Sequence, residues 1–239
     1  MTTTEFVEYR DEQGLYEGML ITPEGARGQL PCVLVFPTVW GRTSMEEQAA
    51  KDLAERGYVA FIVDLYGKGF DASTEEAAFG RMDEYNEDRR FLLSRLELVY
   101  NTVQAFDLVD ENNIAAIGYC FGGKCVLDLA RSGLEYAGGV SFHGVLNPPD
   151  FNTDVTVKTP LVILHGWDDP LATPDDVLAL SKELTEKGAN WELVSYGHTG
   201  HAFMKPEANN QEGGYFYHAE MAERAWQRTV DFLAIKLAK

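Results

Sequence analysis

The sequence predicts an α/β fold over its 239 residues, read as a single domain, 1–239. Its core is a mostly parallel sheet of about eight strands with helices on both faces. Three observations carry this. Short, nearly continuous apolar runs recur along the chain, as strands buried on both faces require. Helical stripes stand between those runs, and that alternation implies a mostly parallel sheet. Two early runs, FVEYR (6–10) and LYEGMLIT (15–22), read as a partly exposed pair and predict an antiparallel N-terminal edge.

The elements follow in order. PCVLVFP (31–37) is the first fully apolar strand. Thr43 and Glu46 then make a capping box, Met45, Ala49 and Leu53 follow at helical spacing, and Gly57 closes that helix. GYVAFIVDLYG (57–67) is the next strand. Leu92, Leu96, Val99, Val103 and Phe106 step by four and three, which predicts an amphipathic helix reaching Phe106. NIAAIGY (113–119) runs into a helix over 121–132, closed by Gly133. AGGVSFHG (137–144) and TPLVILHG (159–166) are strands, and the short stretch between them has no room for a large lid domain. Thr173 is an N-cap with Pro174 at the first helical position, and Gly188 fits the position after the helix. NWELVSY (190–196) alternates and belongs nearer an edge. Trp226, Val230, Leu233 and Leu237 give the last helix its apolar face, and these stripes are core faces.

Composition narrows the function. The net charge is -18, from 38 acidic and 20 basic residues. That balance argues against nucleic acid and anionic membrane as partners, since phosphate binding needs clustered Lys and Arg. The start, MTTTEFVEYRDEQG, lacks the basic and apolar segments of a secretory signal. No apolar run approaches the ~20 residues that span a bilayer. Three cysteines, Cys32, Cys120 and Cys125, cannot all pair within the chain. Free thiols in a reducing cytoplasm are the expectation, in a monomer or small homo-oligomer.

Chemistry is expected beyond the carboxyl ends of the strands. At the first such end, Gly118-Tyr119-Cys120-Phe121-Gly122 reads as a sharp strand-to-helix turn that raises a nucleophile, with glycines where backbones must approach. The helix that follows points its positive end at the thiol, which favours a thiolate. The alternative is a buried thiol in a glycine-rich turn. At the second end, HGWDDP offers Asp168 and Asp169, either of which could orient a histidine. At the third, YGHTGHAF offers His198 and His201 as bases. No Cys, His or Asp spacing suggests a metal site. The chain order nucleophile, acid, histidine is that of the α/β-hydrolase fold.

With those motifs in place, the chain resembles the dienelactone hydrolase family, a cysteine-nucleophile branch of the α/β-hydrolases. GYVAFIVDLYGKG, IGYCFGGK, LHGWDDP and GHAF stand in family order across the chain. The resemblance implies a Cys120-His201-Asp169 triad, with Asp169 rather than Asp168 as the acid. It implies an oxyanion hole from the backbone N–H groups of Val39 and Phe121, and no cofactor. Thr38 stands where the family enzyme has a glutamate beside its cysteine. Lys205 stands where it has a substrate-binding arginine, and Arg81 is a second cation. Thr38, Trp40, Arg81 and Lys205 are thus the implied substrate contacts, and Trp40, Phe70, His143, Trp167 and Phe203 are candidate pocket walls. The implied reaction is hydrolysis of a small ester or lactone through a cysteine thioester. A thiol redox or sensor protein, or an acyltransferase, would use the same parts.

Overall fold

The computed structural model describes residues 1–151 and 154–238. Its elements are β1 (Thr2–Asp11), β2 (Gly14–Pro23), β3 (Leu30–Phe36), α1 (Ser44–Glu55), β4 (Val59–Ile62), α2 (Glu75–Glu87), α3 (Arg89–Gln104) and β5 (Val109–Tyr119). They continue with α4 (Phe121–Arg131), β6 (Gly138–Phe142), β7 (Leu161–Gly166), α5 (Pro174–Glu186), β8 (Trp191–Tyr196), β9 (Asn209–Asn210), β10 (Tyr215–Phe216) and α6 (Ala219–Lys236). Strands β1 to β8 form one sheet in the order β1-β2-β4-β3-β5-β6-β7-β8, and β9 pairs with β10 separately. β1 and β2 are antiparallel, as are β2 and β4, while β3–β4, β6–β7 and β7–β8 are parallel. The predicted mostly parallel sheet with an antiparallel N-terminal edge is therefore present, and β8 ends the sheet as its alternation implied. No helix among the described residues is long and apolar enough to cross a membrane.

The chain divides into two compact units, Met1–Ala116 and Ile117–Lys239. In the first, the Thr43–Glu46 capping box starts α1 as expected, and α1 packs on β2, β3 and β4. The expected strand 57–67 is real only over Val59–Ile62. Asp64 ends it by accepting the N–H groups of Glu17, Tyr66 and Gly67 at 2.9, 2.9 and 3.0 Å, which turns the chain away. α2 was not legible, because it buries only Ala78 and Tyr85 and so has no stripe. α3 stops at Gln104 with Ala105 as its C-cap, short of the expected Phe106. Phe106 instead meets Phe61 edge-on at 5.7 Å.

In the second unit, glycines set how closely backbones approach. A Cβ on Gly118 would lie 2.1 Å from the carbonyl oxygen of Gly122, so the turn into α4 admits no side chain there. A Cβ on Gly123 would meet Ser141 Oγ at 2.6 Å and Gly144 Cα at 2.8 Å, which seats α4 directly on β6 and the turn after it. α6 packs on β6 and β7. The far end of α4 is tied by buried Arg131, whose guanidinium donates to Glu183 of α5 at 2.9 and 2.6 Å, to Asp128 at 3.3 Å and to the Leu146 carbonyl at 2.9 Å.

Removing one member of a buried ion cluster leaves its counter-charges desolvated. Arg131→Leu is expected to lower stability by about 3 kcal/mol or more in urea unfolding, whereas Arg224→Leu, on an exposed pair, changes it by less than about 1 kcal/mol.

Candidate active site

Cys120 follows β5 and precedes α4. Its backbone has φ 53°, a left-handed angle rare outside glycine. Two bonds hold it there: its N–H donates to the Phe142 carbonyl at 3.0 Å, and its own carbonyl accepts from Lys124 N–H at 3.2 Å as the first bond of α4. The side chain thus leaves the sheet end rather than continuing the pleat. Cys120 is partly exposed, while Cys32 and Cys125 are buried. Burial raises the Cys32 thiol well above the ordinary cysteine value.

Asp169 and His201 arrive on adjoining loops after β7 and β8. Trp167 N–H donates to the Tyr196 carbonyl and Asp168 N–H to the Thr199 carbonyl, both at 2.9 Å, and these bonds lace the two loops together. The lacing needs Gly166, where a Cβ would lie 2.5 Å from the carbonyl oxygens of Gly200 and Thr199. Asp169 is buried and Asp168 exposed. One Asp169 oxygen, Oδ2, lies 2.8 Å from His201 Nδ1, and the other accepts Leu171 N–H at 2.8 Å. Of the two aspartates left open by the motif, Asp169 meets the histidine. His198 is exposed, at φ 56°, and Ala202 is also left-handed, at φ 60°.

His201 is buried and held from a third side by the β9–β10 hairpin. Its N–H donates to Gly214 carbonyl at 2.7 Å and its carbonyl accepts Phe216 N–H at 3.1 Å. No periodicity announces this hairpin, because two-residue strands carry none; the Gly213-Gly214 pair marks its turn.

Burial works against a charged His201 ring. Burial is the largest single influence, but the Cys120 sulfur and the Asp169 carboxylate together outweigh it and push the imidazole up to about 10. The coupling to Cys120 is mainly electrostatic: among the described residues, the buried Nε2 lacks a partner of good hydrogen-bond geometry. Two further histidines, His143 after β6 and His165 on β7, are buried, and burial pushes both down, His143 well below the ordinary value. No group of three or more His, Cys, Asp or Glu among the described residues is arranged to hold a metal ion.

The other expected residues fall as follows. Phe121 opens α4 directly after Cys120. Lys205, half-buried, follows on the His201 loop, with its N–H donated to Ala202 carbonyl at 2.8 Å. His143 and Phe203 are buried, and Trp167 is 46% exposed. Within the first unit, Val39 is buried and its carbonyl accepts from Tyr66 hydroxyl at 3.0 Å. Trp40 stands edge-on to Phe79 at 5.8 Å. Arg81 is paired with Glu84 at 2.6 Å and lies over Phe70. Thr38, where no carboxylate was expected, receives one through its backbone: Glu46 Oε1 accepts Thr38 N–H at 3.3 Å, while Oε2 accepts Thr43 N–H at 2.9 Å and hydroxyl at 2.5 Å. Glu46 is fully buried, and burial raises its carboxyl.

The family model for dienelactone hydrolases matches residues 16–237. A Yersinia pestis protein that carries the name carboxymethylenebutenolidase is 24% identical over 221 residues, which is 88% of this chain and 80% of that one. Among solved structures, one named m3DLH is 29% identical with a TM-score of 0.92, and covers 99% of both chains. A dienelactone hydrolase-like promiscuous phosphotriesterase from metagenomic libraries is 27% identical with a TM-score of 0.93, again over 99% of both chains.

The charge balance around His201 predicts its titration. Its folded pKa, about 10, is raised from an ordinary 6.5. The stabilisation this brings is therefore present below the ordinary value and is lost as pH rises through the folded one. In ring-proton NMR, His201 should titrate near 10 in the wild type and distinctly lower in Cys120→Ala, which lacks the largest raising influence.

Proposed function

Because the chain belongs to the dienelactone hydrolase family, whose members hydrolyse carboxylic esters, we propose that it cleaves a small ester or lactone through a thioester on Cys120, with His201 as base and Asp169 as its orienting acid. The observation that carries this reading is the 2.8 Å contact of Asp169 with His201 Nδ1, on the same ring that couples to the Cys120 sulfur.

The steps follow from those roles. His201 takes the Cys120 proton, and the thiolate attacks the carbonyl carbon. The developing oxyanion is received at the start of α4, by Phe121 N–H, and the family pattern assigns the second donor to Val39 N–H. Each well-aimed donor is worth about 3 kcal/mol in the transition state. The C–O bond breaks as His201 returns the proton to the leaving alkoxide. Water then loses a proton to His201 and attacks the thioester; the C–S bond breaks and the acid leaves. Asp169 fixes the imidazole tautomer and stabilises its charged form throughout. Lys205, on the His201 loop, stands where the family enzyme has a substrate-binding arginine, and it would meet an acidic substrate as a point charge without the arginine's fork.

With an activated aryl ester, the wild type should release a stoichiometric burst of phenol followed by steady turnover. Cys120→Ala should lose both, with kcat down by about 10³-fold or more. Full activity in that variant would remove Cys120 from the reaction. A burst with no later turnover would mark a thiol that reacts without catalysing. Product diverted to an added alcohol or thiol in preference to water would mark an acyltransferase.

A further inference from the structure

The 2.8 Å bond to Asp169 holds His201 at one point, Nδ1. A single hydrogen bond fixes the tautomer but leaves the ring free to rock about the bond axis. Beside that bond runs a row of rings in successive edge-to-face contact. Tyr196 meets Phe203 at 5.6 Å and 68°, Phe203 meets His143 at 5.2 Å and 77°, His143 meets His201 at 4.9 Å and 66°, and His201 meets Tyr215 at 5.6 Å and 69°. The tightest of these contacts is the one between the two histidines.

His143 is built into that place. It is 1% exposed. Its backbone is left-handed at φ 37°, a conformation that persists only where the surroundings over-determine it. Its N–H donates to Leu164 carbonyl at 2.8 Å, and the next residue, Gly144, leaves no room for a Cβ, which would lie 2.2 Å from Ser141 Oγ. Among the described residues, neither of its buried ring nitrogens has a hydrogen-bond partner. Such a ring works through its faces and edges.

We propose that His143 is a positioning residue for this reaction: its ring, set across that of His201, fixes the tilt that the Asp169 bond leaves free and keeps Nε2 turned to Cys120. This rests on His201 being the base. Burial keeps His143 uncharged, so it steadies the neighbouring ring without competing for its proton.

The test compares His143→Ala, His143→Asn and His143→Phe by aryl-ester kinetics and by His201 ring NMR without substrate. Misplacing a base costs up to about 100-fold. Ala and Asn should therefore lose about 10- to 100-fold in kcat, with KM changed less than about threefold. Phe, which keeps a ring in place, should stay within about threefold of the wild type. The His201 titration should fall in Ala and Asn, as its coupling to Cys120 loosens, and hold in Phe. Wild-type kcat and titration in Ala, or Asn more active than Phe, would overturn the proposal. If Ala does not fold, the Asn and Phe pair decides. If the wild type shows no Cys120-dependent turnover, the hydrolase reading fails by itself, and the titration series still decides whether His143 sets the ring.

Discussion

The backbone turn at Cys120 is the constraint on which the rest depends. A left-handed φ of 53° costs a residue with a side chain about 1–3 kcal/mol, and the chain accepts it only because neighbouring positions are emptied to make it possible. Gly118 admits the Gly122 carbonyl where a methyl would collide, and Gly123 lets α4 settle onto β6. The result is a sulfur at the end of β5 and the start of a helix, partly open, while the chain's other two thiols are sealed in its core.

Three buried histidines in one unit show how position sets chemistry. His201 has an anionic partner at Nδ1 and a sulfur near its other nitrogen, so attraction defeats desolvation and its pKa rises to about 10. Among the described residues, His143 and His165 have no hydrogen-bond partner at either ring nitrogen, and desolvation pushes both down. His201 is thus distinguished from its neighbours by what faces it. The loops that make this difference depend on close backbone approach at Gly166 and Gly200, where added side chains would meet the carbonyls of Thr199 and Gly214.

Much of this was legible in the amino-acid order. The apolar runs named the inner strands β3 to β7, since burial on both faces leaves an unmistakable composition; the more polar runs named the outer strands β1, β2 and β8, and the strand-end motifs named Cys120, His201 and a pair of candidate acids. Choosing Asp169 over Asp168 took the family pattern; in the structure Asp169 is buried against His201 and Asp168 is exposed. What stayed hidden was what periodicity cannot carry. The strand at 57–67 was read too long because Asp64, whose carboxylate gathers three backbone N–H groups, looks from sequence like any polar interruption. α2 lacks an apolar stripe, and the β9–β10 hairpin is too short to have one. Glu46 was seen as a cap, but its second role, holding Thr38 N–H, is a contact eight residues back along the chain that no local pattern encodes.

The central claim is that an acyl group passes through the sulfur of Cys120, and it is tested most directly by mass spectrometry of enzyme quenched in acid during turnover of a slow aryl ester. The account predicts one added acyl mass, released by hydroxylamine, on the peptide that contains Cys120. An unmodified Cys120 peptide during active turnover, or the acyl group on another residue, would contradict it.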